Sequence, residues 1–276
     1  MPFEFRQVDV FSTQPLGGNP VAVVHDADAL TDEQMAAFAR WTNLSETTFL
    51  LAPADTAADY RLRIFTPGGE LPFAGHPTLG SAHAWLEAGG APRAAGRVVQ
   101  ECAAGLVEIR TGDDGLAFQA PPRIRSGAVE EGLLARVAGA LGVPRGAIVD
   151  AEWCDNGPGW VGVRFADAAA VLALRPTFAD LPASVGAVGA YADGADCAIE
   201  VRAFCDPAKG VGEDPVTGSL NAALGQWLAG GFLPERYVAS QGTALGRRGR
   251  VHVSREAGAV WVGGATRTTI RGSVDL

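Results

Sequence analysis

The spacing of apolar and polar residues predicts a chain of short strands separated by a few helices. Alternation favours strands, and a period near 3.6 residues favours helices. The predicted strands lie at 3–11, 21–25, 60–65, 98–102, 106–110, 148–154, 160–165, 185–191, 198–204, 237–241, 250–254, 260–263 and 268–271, and the predicted helices at 31–41, 77–88, 129–141, 167–174 and 218–228. The segment 44–51 is predicted to be a loop followed by a strand, and 66–72 is predicted to be a loop. Thr31 and Gln34 have the spacing of a capping box at the first helix.

Two segments of the chain resemble each other. Gly75 opens a run of small residues that ends at Trp85, and Thr217 opens a similar run that ends at Trp227. The two tryptophans are 142 positions apart, and a strand-like stretch precedes each run. This repetition predicts two similar α/β units, each built around a central helix.

The two central helices differ from surface helices in their composition. The first carries no charged residue before Glu87, and the second carries none at all. A surface helix shows an apolar stripe opposite a charged face, so both helices are expected to be buried and wrapped by sheet. Their amino-terminal ends would then face each other, which favours an anion-binding site.

Pro121 and Pro122 form the best boundary inside the chain. The predicted domains are therefore 1–120 and 121–276, with the last strand free to return to the first domain. We expect an α/β (α+β) fold of two similar, pseudo-symmetric domains.

Composition narrows the classes of function. Hydrophobic residues make up 47% of the 276 residues and charged residues 19%, which predicts a folded protein. The net charge of −9 argues against non-specific nucleic-acid binding but allows a small anionic ligand. No apolar run has the length of a membrane span, and residues 1–6 do not resemble a signal peptide. The four cysteines form no C-x-x-C pair, which favours a reduced, cytoplasmic protein. Because no apolar span is present, no membrane partner is expected.

Three places carry candidate chemistry. Glu46 is flanked by Leu44 and Phe49, so it is expected to be poorly solvated and to carry protons near neutral pH. The alternative is a turn glutamate that caps backbone amides. His76 lies at a helix start and could donate to a substrate oxygen, or it could satisfy only local backbone groups.

The third place precedes the second central helix. Thr217 or Ser219 could cap that helix, and Asp214 would lie beside its positive end. Plain helix capping is the alternative for each of them.

Other motifs point away from cofactors. No clustered set of histidines is present, so no metal is expected. Lys209 is the single lysine and a poor candidate for a pyridoxal Schiff base. The glycines at 157–162 fit G-x-G-x-x-G, but a strand follows them instead of a helix, which excludes a dinucleotide site.

Several long motifs, taken together and in order, resemble the PhzF family, named for the phenazine-biosynthesis isomerase, within the diaminopimelate-epimerase-like fold. The matching stretches are Asp9-Val10-Phe11, Gly18-Asn19-Pro20-Val21-Ala22-Val23, Asn43-Leu44-Ser45-Glu46-Thr47, Arg63-Ile64-Phe65-Thr66-Pro67, Glu70-Leu71-Pro72-Phe73-Ala74-Gly75-His76-Pro77, Asn156-Gly157-Pro158, Gly212-Glu213-Asp214-Pro215, Thr217-Gly218-Ser219, Gln241-Gly242 and Gly246-Arg247. They extend over essentially the whole chain.

The resemblance implies a cofactor-free and metal-free isomerase, often a homodimer, with its active site between the two domains. Glu46 matches the acid/base of the family. The remaining matches are the substrate-positioning groups His76, Asp214 and Ser219, the helix-start amides of Gly75 and Gly218, and Asn19, whose role is less defined.

Related racemases and epimerases use a thiol at each helix start. This chain has no cysteine at 74–78 or 216–220, so a two-thiol racemisation is excluded. A single carboxylate is expected to move a proton between carbons of an acid similar to trans-2,3-dihydro-3-hydroxyanthranilate. The alternatives are a non-catalytic small-molecule binding protein on the same scaffold and an epimerase or racemase with another substrate.

Overall fold

A computed structural model describes residues 2–112, 115–205 and 212–276. The chain forms two compact units. The first unit comprises Met1–Gln119 together with Gly263–Leu276, and the second comprises Ala120–Val262. Within the described ranges, no helix combines the length and the apolar character that crossing a bilayer requires.

The secondary structure consists of short strands and five longer helical segments in the described residues. The strands are β1 (Phe3–Val10), β2 (Asn19–Val24), β3 (Glu46–Leu51), β4 (Tyr60–Thr66), β5 (Gly69–Leu71), β6 (Arg97–Cys102), β7 (Gly105–Gly112), β8 (Gly115–Gln119), β9 (Asp150–Trp153), β10 (Trp160–Arg164), β11 (Ser184–Ala190), β12 (Ile199–Phe204), β13 (Glu213–Asp214), β14 (Arg236–Gln241), β15 (Gly249–Glu256), β16 (Ala259–Gly264) and β17 (Thr266–Val274). The helices are α1 (Asp32–Thr42), α2 (Gly75–Glu87), α3 (Glu131–Ala140), α4 (Ala168–Ala173) and α5 (Gly218–Leu228).

In the first unit a mixed sheet packs around α2. β1 pairs antiparallel with β2 and β17, and β2 runs parallel to β3. β4 pairs antiparallel with β3 and β5 and parallel with β6, which continues into the antiparallel β7 and β8. A Cβ atom on Gly80 would lie 2.3 Å from Val21 Cγ1. The close approach of α2 to β2 therefore requires glycine at this position.

The second unit repeats the central part of this arrangement. β12 pairs antiparallel with β11 and β13 and parallel with β14, which pairs antiparallel with β15. β10 lies between β9 and β11. A Cβ atom on Gly225 of α5 would lie 2.8 Å from Val253 Cγ1. Both units have the same order of elements: a long strand, a short antiparallel strand, a buried helix and a strand parallel to the first. These are β4, β5, α2 and β6 in the first unit and β12, β13, α5 and β14 in the second. This order confirms the predicted repetition.

Each unit also places an amphipathic helix on the outside of its sheet. Met35, Phe38 and Ala39 of α1 pack into an apolar cluster with Phe49 and Phe65. In the second unit, the buried face of α3 packs against β9, β10 and β11. These outer clusters leave the inner face of each sheet for the central helix.

Most predicted elements are confirmed with shifted ends. α5 has the predicted bounds, and the Thr31 capping box is present with both of its hydrogen bonds. α2 begins at Gly75, two residues earlier than predicted. The prediction of a loop at 66–72 was wrong at Gly69–Leu71, because pairing with β4 makes this segment a strand. β8 was not predicted, since its short stretch is ordered by its partner β7.

Candidate active site

Three predicted site residues meet at the start of α2 in the first unit. Asn19 begins β2, Glu46 begins the parallel neighbour β3, and His76 is the second residue of α2. Asn19 Nδ2 lies 3.4 Å from His76 Nδ1, and His76 Nε2 lies 3.3 Å from Glu46 Oε2. The sheet register and the buried helix thus place an amide, an imidazole and a carboxyl group in one row.

His76 is neutral at physiological pH. Burial lowers its pKa to about 3, and a hydrogen bond to the backbone carbonyl of Pro20 opposes this shift only in part. The short distance to Glu46 therefore joins a carboxyl group to a neutral ring and is not an ion pair. A neutral imidazole offers one N–H donor and one lone pair. The N–H donates to the Pro20 carbonyl, and the neutral ring cannot supply a positive charge.

Glu46 is held at the edge of a rigid scaffold. Its side chain is 15% exposed, whereas the following residues Thr47 and Thr48 are fully buried. The hydroxyl of Ser81 on α2 donates to Thr48 Oγ1 (2.9 Å), which donates to the carbonyl of Ala22 on β2 (3.1 Å). This chain of hydrogen bonds ties β3, α2 and β2 together beneath the carboxyl group.

Asp9 shapes the turn that precedes Asn19. The backbone N–H groups of Gly17 and Gly18 donate to its carboxylate at 2.9 and 3.0 Å. A Cβ atom on Gly18 would lie 2.0 Å from the carbonyl oxygen of Val10, so the turn accepts only glycine there. Asp9 lies in a stretch that resembles the family, but its role in placing Asn19 was not predicted.

In the second unit, Gln241 organises the start of α5. Its Oε1 accepts from the backbone N–H of Thr217 (3.0 Å) and from Asn221 Nδ2 (2.8 Å). Its Nε2 donates to the carbonyl of Asp214 (3.2 Å) and to Thr217 Oγ1 (2.9 Å). All four hydrogen-bonding positions of the amide are used on residues around the helix start. Sequence reasoning missed this role, because Gln241 lies far from Thr217 along the chain.

The predicted helix cap at Thr217 or Ser219 was wrong. Thr217 is the N-cap residue, but no side chain caps the helix. The Thr217 hydroxyl instead donates to Asp214 Oδ2 at 2.6 Å, because Gln241 already fills its acceptor side. Asp214 does lie beside the helix start, as predicted, and its carboxylate is oriented by this hydroxyl.

Ser219 is the second residue of α5, and two other residues hold it. Trp160 Nε1 donates to Ser219 Oγ at 3.1 Å, and Asn156 Nδ2 donates to its carbonyl oxygen at 2.9 Å. An indole N–H can only donate, so Ser219 Oγ must accept from Trp160. The hydroxyl proton of Ser219 is therefore left to point to another acceptor.

Three of the four cysteine thiols, Cys102, Cys154 and Cys197, have raised pKa values that disfavour nucleophilic or acid/base chemistry. Burial raises the pKa of Cys154 to about 12 and also raises the pKa values of Cys102 and Cys197. A thiol needs a lowered pKa to react at neutral pH. α2 and α5 begin at Gly75 and Gly218 without a cysteine nearby, which leaves the backbone amides of both glycines at the helix starts.

The structure can be compared with the predictions about metal ligands, the glycine motif and Lys209. Among residues 2–112, 115–205 and 212–276, no three His, Cys, Asp or Glu side chains are grouped as metal ligands would be. The glycine motif at 157–162 runs into β10, so the prediction of a strand in place of a helix is confirmed. Lys209 lies outside the described residues.

Comparison with known proteins places these features in a family. The model of the family described as phenazine biosynthesis-like protein, PhzC-PhzF, matches residues 8–274. A trans-2,3-dihydro-3-hydroxyanthranilate isomerase of Pseudomonas aeruginosa is 39% identical, over 90% of this chain and 89% of the relative. A Schizosaccharomyces pombe protein named antisense-enhancing sequence 1 is 38% identical over 97% of each chain.

A solved structure supports the same assignment of the fold. The crystal structure of a phenazine biosynthesis protein of the PhzF family from Bacillus anthracis superposes with a TM-score of 0.84. The two chains are 23% identical, and the match covers all of both. The predicted mixed α/β fold is thereby confirmed. The chain belongs to the phenazine biosynthesis-like PhzF family, and it is an isomerase.

Proposed function

We propose that this isomerase moves a proton between two carbons of a small anionic carboxylate substrate, without a cofactor, and that Glu46 carries the proton. The observation that supports this role is the 3.3 Å approach of Glu46 Oε2 to the neutral, buried ring of His76. A neutral imidazole at this distance can contact the carboxyl group without forming an ion pair with it. Such a carboxyl group can both accept and return a proton.

The proposed reaction needs no oxidant or second reactant. The Glu46 carboxylate removes a proton from a carbon next to an unsaturated system, and the electron pair of the C–H bond moves into that system. The double bond shifts, and the same carboxyl group returns the proton to the carbon at the other end. A positioned general base of this kind contributes about 10²–10⁴ in rate.

The other predicted residues bind and orient the substrate in this proposal. The neutral His76 and Asn19 contact a polar substituent beside Glu46. Asp214 accepts a hydrogen bond from an amine or hydroxyl group of the substrate. The Ser219 hydroxyl, whose oxygen accepts from Trp160, donates a hydrogen bond to the substrate carboxylate. The helix starts at Gly75 and Gly218 add about 0.3–1 kcal/mol each toward negative charge that develops in the transition state.

The relative in Pseudomonas aeruginosa supports the choice of substrate class. That protein is named for trans-2,3-dihydro-3-hydroxyanthranilate, a ring acid with an amine and a hydroxyl group. The acceptors and donors assigned above match those three substituents. We propose a substrate of this class for the present chain.

The test is incubation with trans-2,3-dihydro-3-hydroxyanthranilate in deuterated buffer, followed by NMR. The wild-type protein is expected to shift the double bond and to place deuterium on a ring carbon. Glu46→Gln keeps the shape but removes the base, so turnover should fall at least about 100-fold. Glu131→Gln, an exposed residue of α3, serves as the control and should leave turnover unchanged.

Two outcomes contradict the proposal. Full turnover by Glu46→Gln would show that another group moves the proton. Binding of the substrate by calorimetry, without isomerisation or deuterium uptake in the wild type, would favour the non-catalytic binding protein.

A further inference from the structure

The two units contain the same cluster of an arginine, a phenylalanine and a glutamate. In the first unit, Arg63 Nε and one terminal nitrogen donate to the two oxygens of Glu70 at 2.8 and 2.7 Å. The Arg63 guanidinium also lies over the ring of Phe65, 5.0 Å from its centroid. We call Arg63, Phe65 and Glu70 the first clamp.

The second unit repeats this geometry. Arg202 Nε and one terminal nitrogen donate to the two oxygens of Glu213, both at 2.8 Å. The Arg202 guanidinium lies 4.9 Å from the ring centroid of Phe204. Arg202, Phe204 and Glu213 form the second clamp. In each clamp the phenylalanine stands two positions after the arginine.

The strand register of the two clamps is also the same. Phe65 on β4 pairs with Glu70 on β5, and Phe204 on β12 pairs with Glu213 on β13. In both units the short strand leads directly into the central helix, which begins five positions after the glutamate. Each clamp therefore joins the short strand that precedes a central helix to the longer strand beside it.

Each arginine also reaches an outer helix of its own unit. Arg63 donates to Asp32 in the first turn of α1 at 2.5 Å. Arg202 donates to the carbonyl oxygens of Val171 and Leu174 at the end of α4, at 3.2 and 2.9 Å. The planar guanidinium can donate to all of these acceptors at the same time, whereas the point charge of a lysine cannot. The clamps thus join a long strand, a short strand and an outer helix.

The two clamps differ in their exposure to solvent. The side chains of Arg202 and Glu213 are 6% and 7% exposed, and those of Arg63 and Glu70 are 22% and 37% exposed. Removing one partner of the buried pair would leave a lone buried charge, which is far more damaging than replacing both partners. A fair test therefore replaces both residues of a clamp.

We propose that Arg63 and Arg202 are positioning residues that fix the starts of the two central helices. The first clamp sets the place of His76 relative to Glu46. The second clamp fixes the positions of Asp214, which follows Glu213 directly on β13, and of Ser219 on α5. The consequence for catalysis rests on the proposed function above, whereas the consequence for the helix starts does not.

Amide hydrogen exchange of the whole chain tests whether the clamps fix the helix starts. The Thr217 amide is bonded to Gln241 at the second helix start, and the Thr78 amide is bonded to Ala74 at the first. We expect R202M/E213M to speed exchange at Thr217 at least about tenfold while Thr78 is unchanged, because the loss is local. R63M/E70M should speed exchange at Thr78 and spare Thr217, so each double variant is the control for the other.

Kinetics on trans-2,3-dihydro-3-hydroxyanthranilate test the catalytic part. R202M/E213M is expected to raise KM at least about fivefold through Asp214 and Ser219, and R63M/E70M to lower kcat through His76 and Glu46. A clamp that only holds the fold together would lower the active fraction and leave KM unchanged. The conservative Arg202→Lys should recover part of the lost affinity, because it keeps the charge but not the paired contact.

The outcomes separate the two proposals. Unchanged exchange at Thr217 and Thr78 in folded double variants would overturn the positioning role. Faster exchange with wild-type KM and kcat would overturn its importance for catalysis. Wild-type protein that does not turn over this substrate would count against the proposed function alone, since the exchange measurement still decides what the clamps do.

Discussion

The neutral state of His76 can be tested by replacing this residue with glutamine. His76 is 4% exposed, and its burial lowers the pKa in the folded state to about 3 from an ordinary value of 6.5. Between these values the unfolded chain binds a proton that the folded protein does not. The free energy of unfolding should therefore be highest above pH 6.5 and should fall as the pH drops below it.

The size of this effect follows from the two pKa values. From pH 8 to pH 5, protonation of His76 in the unfolded chain should remove about 2 kcal/mol of stability. Burial also lowers the pKa values of His25 and His83, so the wild-type protein loses more than this single contribution. Those two residues are present in both proteins, and their contributions cancel in the difference.

Urea unfolding at pH 8 and pH 5 measures the effect. The wild-type protein should lose about 2 kcal/mol more than His76→Gln between the two pH values, whatever the stability of the variant at pH 8. NMR of the imidazole gives a direct check, since the His76 ring should not titrate between pH 8 and pH 5. Equal pH dependence of the two proteins, or a ring titration near pH 6.5, would refute the assignment of a neutral buried imidazole.

Three further predictions follow from single contacts. Gly80→Ala should cost about 1–3 kcal/mol in urea unfolding, because its Cβ would clash with Val21, and Val21→Ala should recover much of that loss. Thr31→Ala should cost about 1 kcal/mol by the same assay, because it removes the side-chain oxygen that accepts from the Gln34 backbone N–H, and an unchanged midpoint would contradict this. Trp160→Phe should cost about 1 kcal/mol and raise KM for trans-2,3-dihydro-3-hydroxyanthranilate, because it removes the donor to Ser219. An unchanged KM in steady-state kinetics would show that the indole N–H does not orient this hydroxyl.

The elements that could be predicted are those whose signals are local. The capping box of Thr31 and Gln34 spans three residues, and the uncharged run of α5 is read directly from consecutive positions. The repeated pattern gave the two buried helices, and the missing cysteines excluded a thiol pair. Sequence context alone made Glu46, His76, Asp214 and Ser219 candidates but left capping and local hydrogen bonding as alternatives, and the resemblance to the family then favoured a functional role for them.

The contacts that orient the candidates could not be read in this way. Trp160 and Ser219 are 59 positions apart, and Gln241 lies 24 positions from the Thr217 amide that it accepts from. The predicted cap by Thr217 failed because its hydroxyl oxygen already accepts from Gln241, which lies on a strand far along the chain. Pairings of this kind depend on strand register and on which strands flank a helix, and neither is encoded in neighbouring residues.

The sequence by itself thus determined the order of the elements, the repetition and the chemical groups at the two helix starts, since these depend on local periodicity and residue type. Only the tertiary structure decided that His76 is neutral, that Gln241 holds the start of α5, and that one arginine clamp stands in each unit. Burial and the direction of hydrogen bonds are properties of the packed chain. They change the acidity and the donor roles of side chains whose identity the sequence had already given.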